Sequence, residues 1–201
     1  MAYIGKQPTA VPLTSFDLED NIVTSAKIID GTIALADLSA TGTKDATTFL
    51  RGDNTFAEAG GGKVLQAVTG TSSTASQGSE TSFTDTGLNV TITPSSASSK
   101  ILIMAHTTGL IDSSGNFAYF TIERQISGGS NTNIGDSSLG LTHLRGDAVQ
   151  ITSVMVHALD TPSTTSAITY EFQRRCSGGG GSVAAMYQNV KSNITALEIG
   201  A

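Results

Sequence analysis

The chain of 201 residues has no tryptophan, one cysteine, four prolines and only 14% charged residues. Each shortage excludes something. The single Cys176 cannot close an internal disulfide, so nothing points to an oxidising compartment. No run of Lys or Arg occurs and the net charge is −6, which argues against binding nucleic acid by phosphate neutralisation. No stretch approaches the length of a membrane-spanning helix, and the opening "MAYIGKQPTAV" lacks the apolar core of a signal peptide. The expectation is a protein made in a cytoplasm, with no export signal of its own and no membrane insertion.

Catalytic equipment is equally sparse. His106, His143 and His157 lie far apart with no H-x-H or H-E-x-x-H spacing, so no metal site is expected within one chain. Cys176 has no identifiable base partner and reads as a partly buried free thiol. The acids are scattered, with no pair standing out, and aromatics amount to 5%. A glycan-degrading enzyme needs paired acids in a groove and aromatic platforms. The chain is therefore not read as an enzyme, and no cofactor is expected.

What the sequence does contain is glycine (22 residues), with Ser and Thr almost everywhere and many Thr, Val and Ile. Low charge with this mixture suits short strands joined by small-residue turns. A disordered chain carries more charge and fewer aliphatics. The fold class expected is all-β.

The composition changes at "AEAGGGK", residues 57–63, where three glycines read as a flexible joint at 60–62. Residues 1–59 are read as an extended arm or stalk, and 63–201 as a compact tip. The arm repeats itself in tens over 13–42: "LTSFDLEDNI", "VTSAKIIDGT", "IALADLSATG". Aliphatics recur every fifth residue at Leu13, Leu18, Val23, Ile28, Ile33 and Leu38. On a helix five residues advance about 500°, so no stripe forms. On a strand five is odd, so successive aliphatics face opposite ways. Neither element buries this pattern against one flat partner, whereas a thread among copies of itself or in a groove does. A pentapeptide β-helix, echoed by "ADLS" at 36–39, needs more coils than some thirty residues supply.

The second region reads as strands throughout. "LNVTI" (88–92) alternates apolar and polar residues, and "AITYEFQRR" (167–175) places Ile168, Tyr170 and Phe172 inward. "KILIMAH" (100–106) is apolar on both faces, as for a central strand or one covered by a neighbouring subunit. With "KVLQAV", "FAYFTIER", "VQITSVMVHAL", "SVAAMY", "ITALEI" and a short strand near 139–144, eight or nine strands are predicted. An antiparallel two-sheet sandwich of jelly-roll type follows. "RGD" at 51–53 and 145–147 reads as a glycine turn between solvated charges, and "SGGGGS" (177–182) as a long turn, not a phosphate loop.

Four stretches in ordered succession resemble the fibre proteins of tailed bacteriophages, those of marine cyanophages and pelagiphages most of all. They are "MAYIGKQP" (1–8), "TSAKIIDGTIALADL" (24–38), "FLRGDNTF" (49–56) and "TGLNVTITPSSASSKIL" (86–102). The resemblance implies a virion structural protein, usually a homotrimer, attached by its N-terminus and adhesive or capping at its C-terminus. A short tail fibre or appendage is the leading expectation, with host-surface glycan or protein and other virion proteins as partners. A head fibre or decoration protein with a stabilising or shielding role is the alternative. A glycan-degrading tip is the weaker one. Tyr3, Ile4 and Pro8 are expected to plug into the particle, as an extended peptide whose side chains fill pockets. The polar loops 112–116, 127–138 and 160–166 are the expected outward surface, with Asp112, Asn116, Asn131, Asn133 and Asp136 as candidate host-binding residues.

Overall fold

A computed structural model describes residues 24, 26, 28–34, 37, 39–58, 64–178 and 180–200. The chain divides between Gly60 and Gly61 into two compact units, described separately below. Tyr3, Ile4, Pro8, Leu13, Leu18, Val23 and Leu38 lie outside the described residues.

In the first unit, β1 (Thr48–Leu50) and β2 (Phe56–Glu58) form an antiparallel hairpin. The first "RGD" is its turn. Asp53 Oδ1 accepts from the Thr55 amide (3.1 Å) and hydroxyl (2.6 Å), while Asn54 takes the left-handed φ of 61° that Asn tolerates. Among the arm aliphatics, Ile28 and Ile33 are described, and both are exposed. Between them Asp30 and Gly31 make a turn closed by the Thr32 amide donating to the Ile29 carbonyl at 3.0 Å.

The second unit is an antiparallel β-sandwich. One sheet is built on β6 (Lys100–Ile111), paired along one edge with β10 (Gln150–Asp160). Its other edge pairs first with β13 (Ser192–Ile199), then with β12 (Val183–Ala185). The sheet is completed by β3 (Val64–Ser72) on β13 and β4 (Ser76–Gly78) on β12. The facing sheet runs β5 (Thr84–Ile92), β11 (Ile168–Cys176), β7 (Phe117–Ile126). On its far edge β7 pairs with β8 (Asn131–Asn133) and β9 (Thr142–Arg145). The chain passes between sheets from β4 to β5, β5 to β6, β6 to β7, β9 to β10, β10 to β11 and β11 to β12, the jelly-roll-like route.

Period-two patterning explains the layering. On β11 Ile168, Tyr170, Phe172 and Cys176 are fully buried; on β6 Ile101, Ile103, Ala105 and Ile111 meet them from the other sheet. Phe120 stacks on Phe172 with centroids 5.7 Å apart. Polar groups that point inward are held by partners, as burial requires. Arg174 is 3% exposed and its Nη1 donates to Glu80 Oε2 at 2.7 Å. Arg124 and the Tyr170 hydroxyl both donate to the Asp160 carboxylate. Burial, then this bond to Asp160, pushes the Tyr170 phenol above its ordinary value.

The structure adds β4 and β8 to the predicted strands. Each is a three-residue polar segment, "SQG" and "NTN", with no alternation to read. "SVAAMY" is a strand only over Val183–Ala185 and then becomes a single 3-10 turn at Tyr187–Asn189.

Candidate functional site

The two outer faces of the sandwich differ sharply. Residues that alternate outward on β10 are Ile151, Ser153, Met155, His157 and Leu159. Register aligns Leu159 with Leu102 and then Leu197, and His157 with Met104 and then Thr195. Met155 lies beside His106, which lies beside Asn193. On β3, Leu65, Ala67 and Thr69 continue the same face. The result is a broad apolar surface. Met155 is 69% exposed, Leu159 57% and Ile151 52%, and Val149, Leu65 and Met104 are exposed with them. A hollow of about 300 Å³ opens between Met104, His106, Met155, His157 and Thr195. The His106 Nε2 and Ser153 Oγ atoms lie 2.8 Å apart, tying β6 to β10 across it.

Not one carboxylate faces outward along these four strands, and Lys100, at the end of β6, is the one lysine or arginine on them. Glu198 and Asp160 belong to the inward rows instead. In a chain of net charge −6 this is a pronounced separation. A contiguous apolar surface in water marks an interaction face.

The opposite face is polar. Outward residues of β7 and β11 put Glu123 directly across from Glu171, a like-charge pair that costs stability. Two amides offset that cost. Gln173 Nε2 donates to Glu123 (2.8 Å) and Glu171 (3.4 Å), and Asn131 Nδ2 to the same two carboxylates (3.1 and 3.3 Å). Burial, and next the nearby Asp85, hold the Glu171 carboxyl above its ordinary value. Beside this network lies a hollow of about 490 Å³, walled by Glu123, Asn133, Ser138, Phe83 and Arg175. The Arg175 guanidinium stacks over Tyr119 at 4.0 Å and Phe83 at 5.3 Å, and donates to the Ser138 carbonyl.

The candidate loop residues fall in two places. Asp112 and Asn116 sit at the turn from β6 to β7. Asp112 accepts from the amide and hydroxyl of Ser182, both at 2.5 Å, and these bonds, the hydroxyl's first, hold its carboxyl below the usual range. Asn116 is buried, its Nδ2 donating to Ser113 Oγ at 3.0 Å. Asn131 and Asn133 pair with the far end of β7, at Gln125 and Glu123. Asp136 follows, accepting from the Leu139 and Ser138 amides, which lower its carboxyl's pKa. Along β7, Asn133 and Asn131 pair at positions 123 and 125, roughly 23–30 Å from Asn116, while Asp136 lies between, bridged to Gly140 beside Phe120. Residues 127 and 167 join the 127–138 and 160–166 loops, the Ser127 amide donating to the Ala167 carbonyl at 2.9 Å. The three loops therefore do not form one surface.

Sequence reading missed the grouping of Glu123, Glu171 and Gln173. Both strands were visible, but the register that sets one glutamate against the other is a tertiary fact. The second "RGD" closes β9, where exposed Arg145 and Asp147 pair at 3.3 Å. Cys176 is fully buried within the core, its Sγ nearest the Gly181 carbonyl at 3.5 Å.

Fold and surfaces together define an antiparallel, jelly-roll-like β-sandwich with one apolar, acid-free face and one acidic, amide-rich face. No family model matches the chain, and no protein of curated function matches it in sequence. Among solved structures it is similar to Eiger TNF from S. frugiperda, at 13% identity and a TM-score of 0.41, over 68% of this chain and 93% of that one. It is also similar to a chain of infectious bursal disease virus, Gx strain (16% identity, TM-score 0.36, 73% of this chain, 34% of that chain). A third likeness is to the VP2 protein of the same virus in T=1 particles (14%, 0.37, 73% and 39%). The chain thus spans little more than a third of those viral chains. These likenesses accompany the sandwich seen in the chain's own sheets and carry no functional argument.

Proposed function

We propose that this is a virion structural protein: a short homotrimeric phage fibre or appendage, held to the particle by residues 1–59 and presenting the sandwich for host-surface binding. The observation that carries the reading is the apolar face of β10, β6, β13 and β3. Copies that each bear a net charge of −6 repel one another, and this face is where they can meet without bringing carboxylates together. A stable contact buries about 800 Å² per partner, and this face runs across four strands of 8 to 12 residues. Assembly about a closed three-fold axis sets one part of the face on each copy against a different part on the next, and the ring leaves no open end. Trimerisation also gives the five-residue aliphatic spacing of the arm a solution, since three threads can bury side chains that point several ways. The ordered resemblance of both halves to phage fibre proteins supports the particle as the setting.

The test is light scattering on the full chain together with the Met155→Asp variant. A trimer is expected for the natural chain. Met155→Asp places a carboxylate at the centre of the face and is expected to give monomer with an unchanged β-type circular dichroism spectrum. Each side chain withdrawn from water contributes roughly 1.5–3 kcal/mol, and the three-fold axis repeats each loss. A natural chain that is monomeric at all accessible concentrations, or a variant that stays trimeric, overturns the interface. Antibody labelling of particles in the electron microscope locates the protein on tail or head. Binding of the trimer to host cells separates an adhesive tip from a decoration protein, which would show none.

A further inference from the structure

We propose that Glu123, Glu171, Gln173 and Asn131, on the polar face, form a binding site for a hard divalent cation of the calcium kind. The starting point is a conflict inside the network. Two glutamates sit directly opposite on neighbouring strands, with Asp85 across from Gln173 on the third. Three acids thus crowd three adjacent strands, and what lies between Glu123 and Glu171 is a pair of amide nitrogens, neutral donors in the position of a cation.

The second observation concerns Gln173 itself. It is 4% exposed, its amide lies between both carboxylates, and its Oε1 is buried without a hydrogen-bond partner. A buried polar atom left unmet is destabilising, and among the described residues Ser99 Oγ is the other such side-chain atom. A half-turn of a terminal amide exchanges its oxygen and nitrogen. Turned that way, Gln173 Oε1 and Asn131 Oδ1 join the two carboxylates and give four oxygen groups around one point. The Gln125 amide, which now donates to Asn131 Oδ1 at 2.9 Å, is exposed and free to turn with it.

Carboxylates and amide carbonyls are the ligands of hard cations, and calcium accepts six to eight oxygens in irregular geometry, with water filling the remainder. Magnesium demands a near-ideal octahedron and gives up water reluctantly, so calcium is the better fit to two flexible amides and two carboxylates. Only two of the four groups are acids. The site therefore differs from clusters of three or more His, Cys, Asp or Glu suited to a metal, which are absent among the described residues. The inference is independent of the oligomeric state, because all four residues come from β7, β8 and β11 of one copy.

The experiment is thermal unfolding of the full chain, stripped by chelator, in sodium, magnesium and calcium chloride at matched ionic strength. Calcium is expected to raise the midpoint above sodium, and magnesium to do so less. Glu123→Gln and Glu171→Gln are each expected to weaken the apparent calcium affinity about tenfold or more. In sodium chloride both variants should unfold at or above the natural midpoint, because each removes one member of a like-charge pair. A calcium curve that coincides with sodium overturns the site. So does a calcium response that survives undiminished in both variants, which would place the ion elsewhere.

Discussion

Protonating one buried carboxylate should cost the sandwich a large part of its stability. Glu198 on β13 is fully buried and points inward. Burial alone would raise its pKa, yet hydrogen bonds overcome it and bring the carboxyl down to about 2 from 4.5. Gln66 Nε2 donates to one oxygen at 2.6 Å, and the Ser95 amide and hydroxyl both donate to the other at 2.7 Å. Ser99 Oγ also favours the charged form from nearby, without completing a hydrogen bond. The carboxylate thereby pins β13 to β3 and to the segment between β5 and β6. Because the folded pKa lies below the unfolded one, the stabilisation is fully present above about pH 4.5 and disappears as pH falls through about 2. At about 1.4 kcal/mol per pH unit, the gap amounts to an upper value of roughly 3 kcal/mol. Glu80, Asp112 and Asp136 also have lowered pKa values and contribute to acid loss in the same range. A comparison with Glu198→Gln isolates the Glu198 share. Urea unfolding followed by far-ultraviolet circular dichroism, at one fixed protein concentration, should show the variant less stable by about 3 kcal/mol at pH 7. The two proteins should converge near pH 2. Curves that fall in parallel, with a pH-independent gap, would refute the reasoning.

Gly70 on β3 lies so close to β5 that an added Cβ would stand 1.8 Å from the Asn89 carbonyl oxygen, a backbone atom. Gly70→Ala is therefore expected to lower stability by more than the roughly 1 kcal/mol of an ordinary substitution, measured by thermal unfolding. Deleting residues 1–12 should leave a soluble protein with its tip folded but missing from purified particles by mass spectrometry. Incorporation at the normal copy number would move the attachment to the ten-residue repeats or the tip.

Much of the sandwich was legible because its strands announce themselves locally. Ile168, Tyr170 and Phe172 alternate with polar residues in sequence, and all three are fully buried. The sequence of β6 is apolar on both faces, which predicts either a central strand or one covered by a neighbouring subunit, and the sheet bears out the first. It is a central strand, with Ile101 and Ile103 inward, while Met104 remains 38% exposed on the other side. The short strands were not legible, since "NTN" has no periodicity and is positioned by its pairing with β7. The polar network was hidden for the same reason. Glu123 and Glu171 are 48 positions apart, and only sheet register makes them neighbours.

The distribution of charge also decides which face can meet another copy. An isologous contact through the polar face would bring Glu123, Glu171 and Asp85 of one chain against the same three in the next, with a balancing cation for each copy as the least requirement. The β10–β6–β13–β3 face asks for no such compensation, because its polar groups, His106, His157, Ser153, Thr195 and Asn193, include no carboxylate. In the proposed trimer this face lies inside and the acidic face outside. The polar hollow with its stacked Arg175 is then exposed to the medium on all three copies at once. Repetition matters there, because a weak contact made three times by one particle component binds far more tightly than one made singly. In that proposed trimer, closing the apolar face inward would turn three separate polar faces into one multivalent surface.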